Sequence, residues 1–318
     1  MKFSLVITVL NEEKTIGKLL EALAKQTKKP DEIIFVDGGS SDRTVAYLKS
    51  RAAGKASGDA RQISNLKIFI KPGASIAQGR NFGIRKAKGE IIAMTDAGCT
   101  PHRDWFEKIT EPFSKDDIDI VAGFYQMTGE TVFQKCLACY LGILPEKLNP
   151  KNFMPSARSI AFRKEIWEKI SGFSEKLGKA GEDTLFNYQA RRLGAKFVTA
   201  SGALVDWEMP KTLKEAIKKF YGYAKGDGQT GIWWYHSLKI SVIYARYILS
   251  VALLIMGFWL KPLWVLLLIG FLLYLVWAVR KNYNYVNRGW AIFFLPTIQI
   301  VSDLAVMAGF AVGTIKKV

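Results

Sequence analysis

Residues 3–48, FSLVITVLNEEKTIGKLLEALAKQTKKPDEIIFVDGGSSDRTVAYL, decide the fold. FSLVITV (3–9) is a short, unbroken apolar run rich in β-branched residues, the pattern of a strand buried on both faces. NEEKT then opens a stretch in which Ile16, Leu19, Leu20 and Leu23 recur along one helical face. EIIFVD (32–37) is a second buried strand ending on an acid, and GGSSDRT (38–44) turns the chain into another helix with Ser41 or Asp42 as its cap.

A polar loop at 54–65, a third strand LKIFI (66–70), a helix over 75–87 and a fourth strand EIIAMTD (90–96) continue the alternation. Strand and helix in this order predict an α/β fold, a parallel sheet covered on both faces whose ligands bind outside the carboxyl ends of its strands. Asp37 and Asp96 stand at those ends. After Pro101 the pattern loosens: a helix over 102–113, a strand DIVAGF (119–124), a helix over 131–144, a strand SIAF (159–162), a helix from Lys164 and another over 182–193.

The last third is built for a different solvent. PLWVLLLIGFLLYLVWAV (262–279) carries no charge, 240–260 is interrupted only by Arg246, and 290–315 only by Asp303, with Gln299 and Pro296 nearby. Each is close to the roughly 20 residues that a spanning helix needs, so about three transmembrane helices are expected over 238–318. A buried helical hairpin is the soluble alternative. Trp233, Trp234, Trp259, Trp264, Trp277 and Trp290 flank these runs, as suits a water–lipid interface.

MKFSLVITVLNEE passes from a short apolar run into acidic residues, so no secretory signal is read and the first domain is expected in the cytosol, with the chain a multi-pass protein of the cell membrane. Arg280, Lys281 and Arg288 between the second and third runs agree with that side, whereas three spans would put Lys316 and Lys317 on the other.

The chain has 45 Lys and Arg against 28 Asp and Glu, a formal charge of +17. No nucleic-acid motif accompanies it, so nucleic acid is excluded as a partner in favour of a phosphate-bearing substrate and an acidic membrane surface. Three cysteines, Cys99, Cys136 and Cys139, are too few for a disulfide framework and fit a reducing compartment. The Cys136-x-x-Cys139 spacing has no second pair, and is read as packing one helix face. In KTLKEAIKKFYGYAKGDG (211–228), Leu213, Ile217, Phe220 and Ala224 recur at helical spacing among lysines. This is read as an amphipathic segment over 211–237 lying among lipid headgroups, or else as a solvated surface helix.

SLVITVLNEEKTIGKLLEAL (4–23), DEIIFVDGGSSDRT (31–44), GRNFGIRKAKGEIIAMTDAGC (79–99) and GKAGEDTLFNYQARRLG (178–194), in this order, resemble the inverting family-2 glycosyltransferases, among them the polyprenyl-phosphate enzymes. The resemblance implies a GT-A fold, a Rossmann-like nucleotide-diphospho-sugar transferase domain over 1–210, ahead of the α-helical membrane region. It implies that Asp37 contacts the nucleotide base, with Thr8, Leu10 and Glu12 in the first loop around it; physically, Asp37 could equally cap its turn. Arg80 and Asn81 match the family's ARN element, and Arg80 either pairs with a diphosphate oxygen or makes a structural salt bridge.

TDAGC (95–99) falls where the family carries its metal-binding D-x-D. Asp96 matches the first acid and Gly98 replaces the second, which puts Mg²⁺ or Mn²⁺ in question and leaves Asp96 as the one expected ligand. His102 is either a substitute ligand or a lone surface histidine. Glu182 and Asp183 match the ED pair, which implies Asp183 as catalytic base; acids in a first helical turn are also what the macrodipole favours. Arg158, Lys219 and Lys225 fall in segments that the family uses at the acceptor or phosphate site, the last two in a stretch that moves in related enzymes and whose Gly222, Gly226 and Gly228 would permit motion. The expected partners are a nucleotide-diphosphate sugar, a lipid-linked or polyprenyl-phosphate acceptor and the membrane. Extension of another glycan or glycolipid, or non-catalytic nucleotide-sugar binding, are the alternatives, and the sequence does not indicate an oligomeric state.

Overall fold

The computed structural model describes residues 1–53, 63–115, 117–178, 180–232 and 238–316. Most of the 54–65 loop, Trp233, Trp234 and Lys317 lie outside the described residues. The chain divides into two compact units, one of residues 1–127 and 147–208, the other of 128–146 and 209–318.

In chain order the elements are β1 (Phe3–Val9), α1 (Ile16–Ala24), β2 (Glu32–Asp37), α2 (Thr44–Ala52), β3 (Leu66–Ile70), α3 (Ile76–Lys86), β4 (Ile91–Met94), β5 (Cys99–Pro101), α4 (Trp105–Thr110) and β6 (Ile120–Thr128). Next come α5 (Val132–Leu141), β7 (Ile160–Arg163), α6 (Lys164–Ile170), α7 (Glu182–Arg192), β8 (Phe197–Glu208) and α8 (Leu213–Thr230). Three long helices follow, α9 (Leu238–Met256), α10 (Pro262–Val286) and α11 (Ala291–Ile315).

The first unit is a mixed sheet in the order β3-β2-β1-β4-β7-β6-β8-β5. Its first four strands are parallel, as the alternation predicts; beyond them, where the sequence pattern loosens, β7 runs antiparallel to β4 and β6 to β7. The strands joined by one crossover helix each at the start of the chain, β1 to β2 and β2 to β3, are the ones that stay parallel, and that regular alternation ends after β4. The chain steps outward from β1 to β3 and then returns to place β4 on the other side of β1, making the switch point at which α/β sheets bind ligands.

The sheet core gathers Val6, Ile34, Val36, Met94, Ile160 and Phe162 with Phe173 and Phe186, whose rings pack at a tilt with 4.6 Å between centroids and anchor α7. Glycine brings α3 unusually near the strands. A Cβ at Gly83 would stand 2.6 Å from Val6 Cγ1, and one at Gly79 would stand 2.9 Å from Thr8 Cγ2.

The second unit joins α5 and α8 to the three apolar helices, each of which is long and apolar enough to cross a membrane. On α9 and α10, Leu249, Phe271 and Leu272 face outward, where an aqueous surface would be unfavourable and lipid is not. Helix α8 runs unbroken through the 211–228 glycines, and Gly228 is buried against α11, where a Cβ would meet Phe310 O at 2.7 Å. From the other side, Gly309 and Gly313 approach Tyr221 O and Lys225 O so closely that a Cβ at either would stand at 2.3 Å. Small residues four apart allow this backbone approach, as between helices in lipid. The buried stripe of α8 is Ala216, Phe220 and Ala224, whereas Ile217 is exposed.

Helix α5, placed by sequence within 1–210, also groups with the apolar helices, through Cys136 and Leu137 against Phe220, Val286 and Leu295. Burial pushes the Cys136 thiol up to about 12, with Cys139 adding to the shift, and so keeps it protonated and unreactive. At the centre of the bundle Asp303 accepts hydrogen bonds from Arg246 of α9, from Tyr274 of α10 at 2.7 Å and from Gln299 at 2.9 Å.

Candidate active site

The loops after β1 and β2 are zipped together. Asn11, held at a φ of 56°, donates its backbone N–H to Ser40 Oγ at 2.8 Å and accepts at Oδ1 from the Ser41 N–H at 2.9 Å. The Glu12 N–H donates to Thr44 Oγ1, and Glu13 ties to Asp42 and Arg43. Glu12 uses its carboxylate on Thr15 at the start of α1. Leu10 is left 52% exposed on the rim, an apolar surface at a strand end.

Asp37 has no exposed surface. Its Oδ2 accepts from the N–H groups of Gly39 and Ser40, each at 2.9 Å, and its Oδ1 from the Ser40 hydroxyl. The carboxylate is therefore a turn former, holding Gly39 at a φ of +97° that favours glycine. The Thr8 methyl lies against Gly79 of α3, away from the loop.

Arg80 is the hub. Close approach of α3 buries its side chain, and the guanidinium donates to Glu182 Oε1 with one nitrogen and to Asp96 Oδ1, at 2.9 Å, with the other. Residues from α3, from the end of β4 and from the first turn of α7 thus meet on one cation. Desolvation works against the charged guanidinium, but Glu182, Asp96 and Asp183 outweigh it, so its pKa is raised. Asn81 beside it is structural, with its amide bonded to Phe173, Glu175 and Trp167 around the 172–175 turn.

The acidic pair divides its work. Glu182 is buried, with Oε2 lacking a hydrogen-bond partner. Burial raises its pKa and Asp183 and Asp96 add to this, against the attraction of Arg80. Asp183 is half-buried, accepts the Ala157 N–H at Oδ2 (3.1 Å) and the Thr184 N–H at Oδ1 (2.8 Å), and is the more exposed of the pair. Gly181, at a φ of 95°, makes the turn from which α7 and the acidic pair start.

Arg158 leaves the sheet at the same edge as Asp96, because Met94 pairs with Ile160 across β4 and β7. Its guanidinium lies 3.9 Å from the Trp207 ring centroid, with Tyr125 edge-on to that ring. Lys219 and Lys225 belong to α8 in the second unit.

Whether these residues suit a divalent cation turns on charge. Three carboxylates share one guanidinium, and a diphosphate would add to that negative excess unless a cation came with it. Asp96 is 37% exposed and keeps Oδ2 beyond its bond to Arg80. Gly98 is exposed, with nothing within 4 Å of where a Cβ would be. Among the described residues no three His, Cys, Asp or Glu side chains converge as a ready metal cage. His102 pairs instead with Asp206 at 2.9 Å. The site fits a cation held by Asp96 with the remaining ligands coming from bound diphosphate and water, the usual habit of Mg²⁺.

Sequence reasoning missed Asn11, Ser40, Thr44 and Asn187, whose roles depend on partners about thirty residues away. Only the Asx-turn propensity of NEE and GSSD hinted at them.

With the geometry in place, the comparisons decide the family. The model of glycosyl transferase family 2 matches residues 4–170, and that of glycosyl transferase family group 2 matches residues 91–301. The chain belongs to glycosyl transferase family 2. This glycosyltransferase is 27% identical to the glycosyltransferase AglE of Haloferax volcanii over 254 residues, 76% of this chain and 77% of that one. It is 24% identical to the uncharacterized glycosyltransferase EpsJ of Bacillus subtilis over 67% of this chain, and spans 62% of that relative, less than two thirds. In fold it is similar to the mannosyltransferase PcManGT of Pyrobaculum calidifontis, solved with GDP-Man and Mn²⁺, with a TM-score of 0.66 at 18% identity over 95% of this chain and 86% of that one. The GT-A fold expected from the motifs is thereby established.

Proposed function

We propose that this family-2 enzyme moves a sugar, with inversion, from a nucleotide-diphosphate donor to a lipid-linked acceptor of the polyprenyl-phosphate type, at the cytosolic face of a membrane crossed by its three apolar helices. One observation carries the reading: Arg80 gathers Asp96 and Glu182 into one cluster beside Asp183, the more exposed of the acidic pair.

In this reading the donor base lies against Leu10 and the zipped loops, where Asp37 acts by fixing the turn and Glu12 by fixing the start of α1. Arg80 and Asp96 face the diphosphate. A Mg²⁺ or Mn²⁺ held at Asp96 would supply the charge neutralisation that the leaving diphosphate needs. The acceptor oxygen bonds to the anomeric carbon as the bond from that carbon to the diphosphate oxygen breaks, and the electron pair leaves on the diphosphate. With a hydroxyl acceptor the proton passes to Asp183; a phosphate acceptor is already ionised and needs positioning more than deprotonation. Arg158, pre-oriented by Trp207, suits that phosphate.

The test uses the full chain in detergent with a panel of sugar nucleotides, Mn²⁺ and polyprenyl phosphate. Transfer by wild type is expected, with Asp183→Asn slowing turnover by roughly 10²–10⁴ while donor binding persists. Donor binding without transfer to any lipid acceptor, unaffected by that substitution, would sink the proposal.

A further inference from the structure

One face of α7 carries Asp183, Asn187 and Arg191, four residues apart, and all three bond to the segment that precedes β7. Asp183 Oδ2 accepts the Ala157 N–H at 3.1 Å, Asn187 Nδ2 donates to the Pro155 carbonyl at 2.7 Å, and Arg191 Nη2 donates to the Phe153 carbonyl at 3.3 Å. The partners alternate, at 157, 155 and 153. A step of four along the helix thus matches a step of two along the segment at all three contacts.

Asn187 is the middle tie and the only one of the three with no exposed surface. Its Oδ1 has no hydrogen-bond partner, so half of the buried amide works against stability, and its gain is the bond to Pro155. Pro155 lies two residues from the N–H that orients the Asp183 carboxylate and three from Arg158 on its Trp207 platform.

We infer that Asn187 is a positioning residue for the transfer: through Pro155 it sets the segment that aims Asp183 and presents Arg158. This rests on the reading of Asp183 as the base, and it acts on the acceptor half of the reaction, leaving the donor half untouched. Loss of the tie lets the segment drift by a fraction of an ångström, and catalysis responds steeply to misplacement on that scale.

The experiment compares Asn187→Ser, too short to reach Pro155, with Arg191→Ala, at the exposed end of the stripe, and with Asp183→Asn, all in the full chain. Asn187→Ser should lower kcat by about tenfold or more, with donor KM changed less than about twofold and faster hydrogen exchange at the 153–158 amides. Arg191→Ala should give the same pattern at several-fold size. Wild-type kcat in both, alongside an inactive Asp183→Asn, overturns the positioning role and spares the reading of the base. Should Asn187→Ser fail to bind donor through misfolding, Arg191→Ala decides alone. Full activity in Asp183→Asn overturns the reading of the base itself.

Discussion

Arg80 and Arg246 are both set against buried carboxylates, one in each unit, and the two arrangements differ in charge balance. Among the apolar helices Arg246 meets one acid, Asp303, which is 1% exposed and has both oxygens bonded, with neutral Tyr274 and Gln299 completing the set and the Tyr274 ring centroid 4.4 Å from the guanidinium. Its charges balance one to one, although Arg246 Nε and Gln299 Oε1 are buried without hydrogen-bond partners. Arg80 instead faces Glu182, Asp96 and Asp183, with a carboxylate oxygen left without a partner and Asp96 partly open to solvent. A balanced pair suits holding helices together in lipid, where an isolated charge is costly. An unbalanced one suits a site that a ligand and its counter-ion complete.

The largest effect expected is from Arg80→Ala. It leaves Glu182 buried without its cation, so thermal unfolding of the full chain should show a loss of about 3–5 kcal/mol, and turnover should fall to background. Stability within about 1 kcal/mol of wild type would show that the hub contributes little. Asp303→Ala should cost about 3 kcal/mol by stranding Arg246 in the bundle. The double change Arg246→Leu with Asp303→Leu should recover most of that. An equivalent apolar replacement of Arg80 and Glu182 should not recover turnover if, as proposed, the charge there serves the ligand.

Gly98→Asp sharpens the contrast at the open end. The added side chain meets no neighbour, so the Mn²⁺ concentration for half-maximal transfer should fall about tenfold, equivalent to roughly 1.4 kcal/mol. An unchanged requirement would place the cation away from Asp96.

The smallest effect is in pH. Burial raises the folded pKa of Glu182, so its stabilising contribution is complete below its unfolded value of 4.5 and is lost as pH rises through the folded value. Melting temperatures of wild type and Glu182→Gln, followed upward in pH, should therefore diverge in favour of the variant. A difference independent of pH would mean that Arg80 offsets the burial in full.

The sequence shows where chain-local chemistry dominates. The strands FSLVITV, EIIFVD and LKIFI, the helix behind Gly181 and the three apolar helices follow from period, length and caps, and the structure has each of them. What stayed hidden depends on distant partners. Strand β8 was not anticipated, since Ser201 and Gly202 interrupt its pattern, and β5 is three residues long. The grouping of α5 with the C-terminal helices rests on Cys136 meeting Phe220 and Leu295, which no local pattern encodes. At the site, the order of Asp37, Asp96 and Asp183 was legible as a motif, but their division of labour was not. Asp37 turns inward to shape its loop, and Glu182 is buried against Arg80 while its neighbour stays half-exposed and bonds to the 157 backbone, because burial and hydrogen-bond partners set those roles.

The most direct measurement of the central claim is the anomeric configuration of the transferred sugar, read by NMR of the product made by the full chain from its preferred donor. One displacement at the anomeric carbon, with Asp183 on the acceptor side and the diphosphate leaving from the other, predicts a configuration opposite to that of the donor. A product that retains the donor configuration would contradict the account.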